Sequence, residues 1–385
     1  MIAGLVSAAC ILAAALVAFL ALECLLGTFR RRSERGIGVP PAYLVLMPAH
    51  DEAHGLARPV RAILAQLRPC DQLVVIADNC MDDTAVIARS LGATVLERRD
   101  PDLRGKGYAL EFARERLRES PGDVVIIVDA DCMVQPHALA RLAASAVSQD
   151  AVVQGAYLMT PQAAAFTNVR LSCFAFLIKN LVRQRGLHQL SGAALLQGSG
   201  MAFPRRIFDK VEWRGASLVE DLDMGLNLLI GGERVIFEDK AVILSDASSE
   251  AGTAGQRRRW EHGMLDAAAG HFAPLLGRIL AGRWRLAFVA LDLLIPPTVM
   301  LLCGSLLALA AGAAVLGAAL PVLLLAIAFA LLAGALARAW KTEGREMLPL
   351  RHVGRIPAYI IWKLPIIASF LFQRQRQWIR TEREP

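Results

Sequence analysis

Two aspartates separated by one residue, Asp129 and Asp131, directly follow a run of β-branched residues at 124–128. Such a run is typical of a strand that is buried on both faces of a parallel sheet. Residues i and i+2 of a strand point to the same side, so we expect the two carboxylates to face one space. Carboxylates at the carboxyl end of a buried parallel strand suit a hard divalent cation that also binds phosphates. The alternative to a metal site is that one of these aspartates caps the following helix and the other is a solvated loop charge.

Polar residues also follow the other apolar runs. His50 and Glu52 come after the first run of the soluble part, and Asp78 comes at the end of the second. The carboxylate of Asp78 can accept hydrogen bonds from a ligand, although an Asx-turn that closes the strand is an alternative. Lys106 lies between two glycines before a helical pattern, where it suits a phosphate group or is a solvated first-turn lysine.

An acidic group and a small-residue loop come later in the chain. Glu220 and Asp221 stand where the N-terminus of a helix favours acidic residues. A strand-to-helix turn also exposes the side chain, so a helix start is compatible with a functional role. Gly198, Ser199 and Gly200 form a run of small residues that lets the backbone approach a ligand closely.

The apolar runs alternate with helical patterns along the soluble part of the chain. This alternation predicts βαβ units and an α/β fold with a parallel sheet, whose strand ends bind ligands. Predicted strands lie at 43–47, 72–77, 93–97, 124–128, 151–157 and within 235–244, and predicted helices lie at 54–67, 82–91, 105–118 and 163–185.

The remaining apolar segments predict a membrane protein. Hydrophobic residues make up 55% of the 385 residues, and charged residues only 20%. Residues 2–27 are long enough to span a bilayer, and the arginines at 30–35 predict that the span ends in the cytoplasm. Residues 286–310 and 314–337 predict a transmembrane hairpin, although Asp292 and the pair Pro296-Pro297 interrupt the first segment. Residues 356–372 have basic residues on both sides, which favours an interfacial helix over a third membrane segment.

Charge and cysteine content exclude other classes. The net charge of +7 comes without a basic stripe interleaved with aromatic residues, which argues against nucleic-acid binding. The seven cysteines are odd in number and contain no Cys-x-x-Cys pair. This pattern argues against a disulfide framework or a zinc motif, and it fits a reducing compartment.

Six short motifs follow one another in an order that resembles the family-2 glycosyltransferases, in the membrane-embedded branch with cellulose, chitin and hyaluronan synthases. The resemblance covers about residues 42–260. The motifs are Pro-Ala-His-Asp-Glu-Ala at 48–53, Ala-Asp-Asn-Cys-Met-Asp-Asp-Thr-Ala at 77–85, Arg-Gly-Lys-Gly-Tyr-Ala-Leu at 104–110, Asp-Ala-Asp at 129–131, Val-Glu-Asp at 219–221 and Gln-Arg-Arg-Arg-Trp at 256–260.

The resemblance implies a GT-A-like, Rossmann-like cytoplasmic domain with a mixed, mostly parallel sheet and with transmembrane helices at both ends. It implies Mg²⁺ or Mn²⁺ as cofactor and an inverting transfer from a nucleotide-diphosphate sugar, of which a UDP-sugar is expected. Domain limits are then 1–28 for the first span, 40–265 for the catalytic domain and 266–385 for the C-terminal membrane region.

The resemblance also implies residue roles. Asp131, with Asp129, is the expected metal ligand. Asp221 is the expected base, with Glu220 next. The other implied roles are donor binding by His50, Glu52, Asp78, Lys106, Asp129, Gln256 and Arg259, and acceptor binding by Gly198, Ser199, Gly200 and Trp260.

The expected activity is transfer to a lipid-linked or glycan acceptor in bacterial surface polysaccharide biosynthesis, at the inner membrane. Two alternatives stay open, a processive polysaccharide synthase and an inactive membrane nucleotide sensor or scaffold. The expected partners are the donor, the acceptor and the lipid bilayer, with no nucleic acid. A homo-oligomer and polysaccharide-assembly partners stay open as well.

Overall fold

The structure, a computed structural model, describes residues 1–29, 39–120, 122–162, 165–213, 219–247 and 250–372, without the side chains of 250–258 and 366–372. The chain forms two compact units. The membrane-helix unit consists of Met1–Arg31, Pro161–Gly192 and Ala247–Glu384, and the sheet unit consists of Arg32–Thr160 and Ala193–Asp246.

The sheet unit is built on one mixed sheet of eight strands. Its order is β3-β2-β1-β4-β7-β6-β8-β5. The pairs β3–β2, β2–β1, β1–β4 and β6–β8 are parallel, whereas β7 runs antiparallel to β4 and β6, and β5 runs antiparallel to β8. The strands are β1 Tyr43–Ala49, β2 Gln72–Asp78, β3 Thr94–Arg98, β4 Val124–Ile127, β5 Cys132–Val134, β6 Val152–Thr160, β7 Met201–Pro204 and β8 Val235–Asp246. The predicted α/β fold with a mixed, mostly parallel sheet is confirmed.

The middle of this sheet is its apolar core. All four residues of β4 are completely buried, as are those at 44–47 of β1. The β-branched run at 124–127 therefore packs on both faces, which is the condition that its composition predicted. Helices α4 and α5 pack against the sheet, α4 on β1, β2 and β3, and α5 on β4, β6, β7 and β8. The helices of this unit are α2 Ala57–Leu64, α3 Thr84–Ser90, α4 Lys106–Arg116, α5 Ala138–Gln149, α8 Arg205–Phe208 and α9 Glu220–Gly231.

The described residues of the membrane-helix unit, which carries the apolar helices, form helices and the segments that connect them. Its helices are α1 Ile2–Gly27, α6 Thr167–Leu177, α7 Gln184–Ser191, α10 Glu250–Leu280, α11 Leu286–Leu294, α12 Thr298–Leu316, α13 Leu320–Ala339, α14 Leu350–Val353 and α15 Ile356–Phe372, with π-helical segments at Ile178–Arg183 and Trp340–Gly344. The predicted helix at 163–185 is thus divided into α6, a π-helical segment and α7.

Three helices in the described part of the chain are long and apolar enough to cross a membrane: Ile2–Gly27, Thr298–Leu316 and Leu320–Gly344. The expected span at 286–310 is interrupted at its proline pair, as the sequence predicts, and only its second part is among these three helices. Helix α11 ends at Leu294, and α12 begins only after Pro296 and Pro297. A proline has no backbone N–H to donate and restricts the residue before it, so the pair ends one helix and starts another.

Candidate active site

The two aspartates that follow β4 lie in a turn and not on the strand. β4 ends at Ile127, and Asp129 and Asp131 lie in the turn that leads into β5. The expectation that both carboxylates extend from one strand is wrong, because the chain leaves β4 here and continues as β5, which pairs with β8. The turn nevertheless brings the side chains together. One ligand atom from each aspartate and the Sγ of Cys132 all lie within 4.8 Å of one another.

Neighbouring side chains hold this turn in position. The backbone N–H of Asp129 donates to Ser199 Oγ over 3.1 Å, and Ser245 Oγ donates to Asp131 Oδ2 over 3.2 Å. The thiol of Cys132 lies 3.5 Å from Asp131 Oδ1, to which it donates. The backbone at Asp129 and the carboxylate of Asp131 are therefore both fixed by neighbours, which is how a preorganised ligand is supported.

The Cys132 thiol acts as a hydrogen-bond donor and not as a thiolate ligand. Burial, together with the charges of Asp131 and Asp129, raises its pKa well above the usual range. The metal-binding chemistry of the turn therefore comes from its two carboxylates. Carboxylate oxygens are the ligands that Mg²⁺ and Mn²⁺ take in proteins, so the turn fits either ion.

Lys106, the first residue of α4, connects the aspartate turn to the small-residue loop. Its ammonium group donates to Asp129 Oδ1 and to the carbonyl oxygen of Gly198. Burial alone would lower the pKa of Lys106. The charge and hydrogen bond of Asp129, with the charges of Glu220 and Asp221, outweigh this effect, so the net shift of the pKa is upward. Lys106 is therefore positively charged at neutral pH.

Asp221 and Glu220 open helix α9 next to the same loop. The Oδ2 atom of Asp221 is 3.3 Å from the position that a Cβ on Gly198 would occupy, so only a glycine leaves this space open. Glu220 Oε2 is 3.2 Å from the corresponding position on Gly107, beside Lys106. Burial raises the pKa of Asp221, and the Lys106 charge lowers it in part, which leaves a net upward shift. Asp221 is therefore a stronger base than an exposed aspartate.

A buried glutamine supports the small-residue loop from behind. Gln154, in the middle of β6, is completely buried. Its Nε2 donates to Ser199 O over 2.9 Å, and its Oε1 accepts from the N–H of Gln197 over 2.8 Å. One side chain thus holds the loop on both sides of Gly198. The residue was recognisable in the sequence as a lone polar side chain in an apolar strand pattern.

The loops after β1 and β2 hold three further predicted residues. His50 Nδ1 is 2.7 Å from the carbonyl oxygen of Asp78, and the N–H of Glu52 donates to Thr84 Oγ1 over 2.8 Å. The Asp78 carboxylate is buried and accepts from Arg98 over 2.7 Å. It is therefore neutralised by Arg98, which leaves less of its hydrogen-bonding capacity for a ligand.

The last predicted motif lies on α10, in the membrane-helix unit. The side chain of Gln256 is outside the described residues. The Trp260 ring packs against Phe176 at 5.4 Å between centroids. The predicted contacts of Gln256, Arg259 and Trp260 with donor and acceptor stay predictions.

Comparison with known proteins identifies the family. Residues 40–263, more than half of the chain, match the family described as "Glycosyltransferase like family 2". The chain belongs to this family. The GT-A-like fold expected from the motifs is confirmed by this match.

The chain is similar to a known protein and to a solved structure. It is 26% identical over 243 residues to "Probable glycosyltransferase YdaM" of Bacillus subtilis (strain 168), a match that covers 58% of the chain but only 55% of that relative. It resembles the structure "Mannosyltransferase PcManGT from Pyrobaculum calidifontis in complex with GDP-Man and Mn2+", with a TM-score of 0.60 and 21% identity, over 97% of this chain and 99% of that one. The second likeness concerns the fold.

Proposed function

We propose that this glycosyltransferase transfers a sugar, with inversion, from a nucleotide-diphosphate sugar to a lipid-linked or glycan acceptor. Such a reaction needs a base for the acceptor hydroxyl, charge stabilisation for the leaving diphosphate and a fixed geometry. The observation that carries the proposal is the position of Lys106, whose ammonium group contacts both Asp129 and the Gly198 carbonyl oxygen. It joins the acidic turn to the loop beside Asp221.

The acidic turn and Lys106 are proposed to bind the donor. A Mg²⁺ or Mn²⁺ ion held by Asp131 and Asp129 would stabilise the negative charge of the leaving diphosphate. Lys106 offers a second positive charge to the same phosphates. His50, Glu52 and Asp78 are the proposed contacts to the nucleotide. The complex of the mannosyltransferase relative with GDP-Man and Mn²⁺ supports this class of donor and ion, and a UDP-sugar remains the expected donor here.

Asp221 is the proposed base for the acceptor hydroxyl. Its burial favours proton uptake, and the nearby Lys106 charge keeps the carboxylate available at neutral pH. Glu220 is the next candidate on the same helix turn. The space above Gly198, beside Asp221 Oδ2, is open to an incoming hydroxyl because this residue has no side chain.

The membrane is the proposed location of the acceptor. Three helices in the described part of the chain are long and apolar enough to cross a bilayer, which suits an acceptor that is itself attached to a lipid. Gln256 and Arg259 are proposed to contact the diphosphate, and Trp260 the acceptor sugar. We propose the bacterial inner membrane, with the sheet unit in the cytoplasm, and a role in surface polysaccharide biosynthesis.

Membranes that contain the full chain should be incubated with a panel of labelled UDP- and GDP-sugars and either Mg²⁺ or Mn²⁺. We expect label from one donor to enter a lipid-soluble product. Label in a polymeric fraction would instead indicate a processive synthase. A chain that binds a nucleotide-sugar without hydrolysing or transferring it would be a sensor.

The Asp221→Asn variant tests the base in the same assay. Transfer should fall about 10²–10⁴-fold because the hydroxyl loses its proton acceptor, whereas donor binding should stay nearly unchanged. Asp223→Asn, on the same first turn of α9, is the matched control and should retain transfer. Lost donor binding with residual transfer in Asp221→Asn would contradict the assignment.

A further inference from the structure

A second group of potential metal ligands lies in the loops that follow β1 and β2. One ligand atom from each of His50, Asp51 and Cys80 lies within 4.8 Å of the other two. The three residues come from two loops of the sheet unit, and their side chains are partly exposed, so an ion can enter from solvent. None of them belongs to the acidic turn after β4.

The hydrogen bonds of His50 determine which of its ring nitrogens faces this group. Nδ1 is 2.7 Å from the carbonyl oxygen of Asp78, which can only accept, so Nδ1 carries the hydrogen. In the neutral ring, Nε2 then bears the lone pair, and it lies 3.7 Å from Asp51 Oδ2. Two acceptor atoms therefore face each other, an arrangement that a cation between them would stabilise.

The sulfur of Cys80 completes the group. Its Sγ lies 3.5 Å from the backbone N–H of Asp51, which donates to it, and 3.5 Å from the carbonyl oxygen of Ala49. Burial raises the pKa of the Cys80 thiol, and the bond from the Asp51 N–H lowers it in part. The ion itself must therefore displace the thiol proton, and the N–H bond then stabilises the thiolate. Sulfur, imidazole nitrogen and carboxylate oxygen together form a ligand set typical of zinc rather than of magnesium.

The two loops are already held together without an ion. β1 and β2 pair in parallel up to Ala49 and Ala77, so the following residues start side by side. Asp51 and Asn79 both adopt left-handed backbone conformations, with φ of 52° and 53°. The chain changes direction at these two residues, one in each loop. Three further bonds cross between the loops: Met81 N–H to Asp51 Oδ1 at 2.7 Å, Glu52 N–H to Thr84 Oγ1 at 2.8 Å, and Ala53 N–H to Asp82 Oδ2 at 3.0 Å.

We propose that His50 Nε2, Asp51 Oδ2 and Cys80 Sγ bind a divalent ion of the Zn²⁺ class, with water as a fourth ligand. Metal–ligand bonds of about 2.0–2.3 Å at tetrahedral angles hold ligand atoms about 3.3–3.6 Å apart. The His50–Asp51 distance of 3.7 Å is close to that range. The thiol proton passes to solvent as the metal–sulfur bond forms, and the charges of thiolate and carboxylate together balance the ion.

The sequence contains no zinc motif because the ligands are not close along the chain. Asp51 and Cys80 are separated by 29 residues, and β1 and β2 bring them together. The site depends on this geometry alone and not on the proposed transfer reaction. Since His50 is also a proposed donor contact, a bound ion would compete with the nucleotide-sugar for this residue.

Co²⁺ is a suitable probe, because a cobalt–thiolate bond gives a charge-transfer absorbance in the near ultraviolet. The purified full chain should be titrated with Co²⁺ in excess Mg²⁺, which occupies sites made of oxygen ligands. We expect one equivalent to give the thiolate band, and added Zn²⁺ to abolish it. Cys80→Ser should remove the band, and His50→Gln, which keeps the thiol, should weaken Co²⁺ binding at least about tenfold.

Two control variants make the result specific. Cys70→Ser removes an exposed thiol that is outside the cluster, and Asp131→Asn disables the acidic turn. Both should keep the band and the affinity of the unaltered chain. The proposal is wrong if the unaltered chain gives no band, if the band persists in Cys80→Ser, or if it is lost in either control. Unchanged affinity in His50→Gln would equally overturn it.

Discussion

The side-chain amide of Gln154 donates a hydrogen bond of 2.9 Å to the carbonyl oxygen of Ser199. The same amide accepts a bond of 2.8 Å from the N–H of Gln197, and Gly198 lies between these two residues. The carbonyl oxygen of Gly198 in turn accepts from Lys106. A residue that is completely buried, and so cannot contact substrate, therefore determines where the loop meets the charged groups of the site.

Gln154→Leu tests this support. The substitution leaves the Gln197 N–H and the Ser199 carbonyl without this partner, at about 1–3 kcal/mol for each buried group. We expect a lower melting temperature and, because the loop moves relative to Lys106, a kcat reduced by about 10²-fold. Melting in detergent and steady-state transfer kinetics are the two measurements.

Gln72→Leu is the matched control, because Gln72 bonds Thr94 over 3.0 Å at an exposed position in the same unit. This control should change neither quantity appreciably. A Gln154→Leu chain with a lower melting temperature but an unaltered kcat would mean that the glutamine stabilises the fold without positioning the loop.

The sheet could be predicted from local sequence because its strands carry a local signal. The β-branched run at 124–127 forms β4, and the alternation of strands and helices predicted the α/β fold. The turn at Asp129 and Asp131 could not be predicted in this way. It depends on β5 pairing with β8, in which Cys132 meets Ser245 from a distant part of the chain.

The supporting residues of the site lack a local signal for the same reason. Ser245 and Gln154 act through partners that are far away in sequence, so no short motif contains them. The cluster of His50 and Cys80 likewise exists only because two strands run side by side. In the membrane-helix unit, by contrast, the proline pair at 296–297 is a local signal, and the helix is interrupted there.

The acid side of the pH–rate profile should depend on Lys106. The base form of Asp221 is the active one, so transfer rises with pH through its pKa. Burial raises that pKa, and the Lys106 charge lowers it. Lys106→Gln removes the lowering effect, so the pKa rises further and the acid limb moves to higher pH.

The measurement is kcat/KM against pH, in which the position of the limb is independent of any loss in overall rate. Lys106→Arg keeps the positive charge and is the control, whose limb should stay near that of the unaltered chain. An acid limb that does not move in Lys106→Gln would exclude Asp221 as the titrating base.

Ser245 should strengthen metal binding although it is not a proposed ligand. Its hydroxyl donates to Asp131 Oδ2 over 3.2 Å and so orients the carboxylate. Loss of such a supporting bond lowers metal affinity about 10–100-fold, and we expect a loss of this size for Mn²⁺ in Ser245→Ala. A Mn²⁺ titration monitored by electron paramagnetic resonance measures this affinity without an activity assay.

Ser145→Ala is the corresponding control, since Ser145 donates to Glu238 over 2.9 Å elsewhere in the sheet unit. Its Mn²⁺ affinity should match that of the unaltered chain, and Asp131→Asn should lose more affinity than Ser245→Ala. Equal Mn²⁺ binding by the unaltered chain and Asp131→Asn would refute the assignment of the acidic turn.

The membrane-helix unit contains a buried arginine that binds two carboxylates. Arg183 donates to Glu23 of α1 over 3.0 Å and also to Asp292 of α11. Arg183→Met leaves both carboxylates without their cation, and breaking a buried pair in this way destabilises by about 3–5 kcal/mol. We expect a clear loss of melting temperature in detergent.

Two further variants identify the physical cause of the lower melting temperature. Arg206→Met also removes an arginine with two carboxylate partners, Asp150 and Glu233, but at an exposed position where such pairs contribute about 0–1 kcal/mol. Combining Arg183→Met with Glu23→Gln and Asp292→Asn removes the uncompensated charges. The triple variant should therefore melt at a higher temperature than Arg183→Met alone. If it melts lower, the arginine acts through packing, and the charge explanation is wrong.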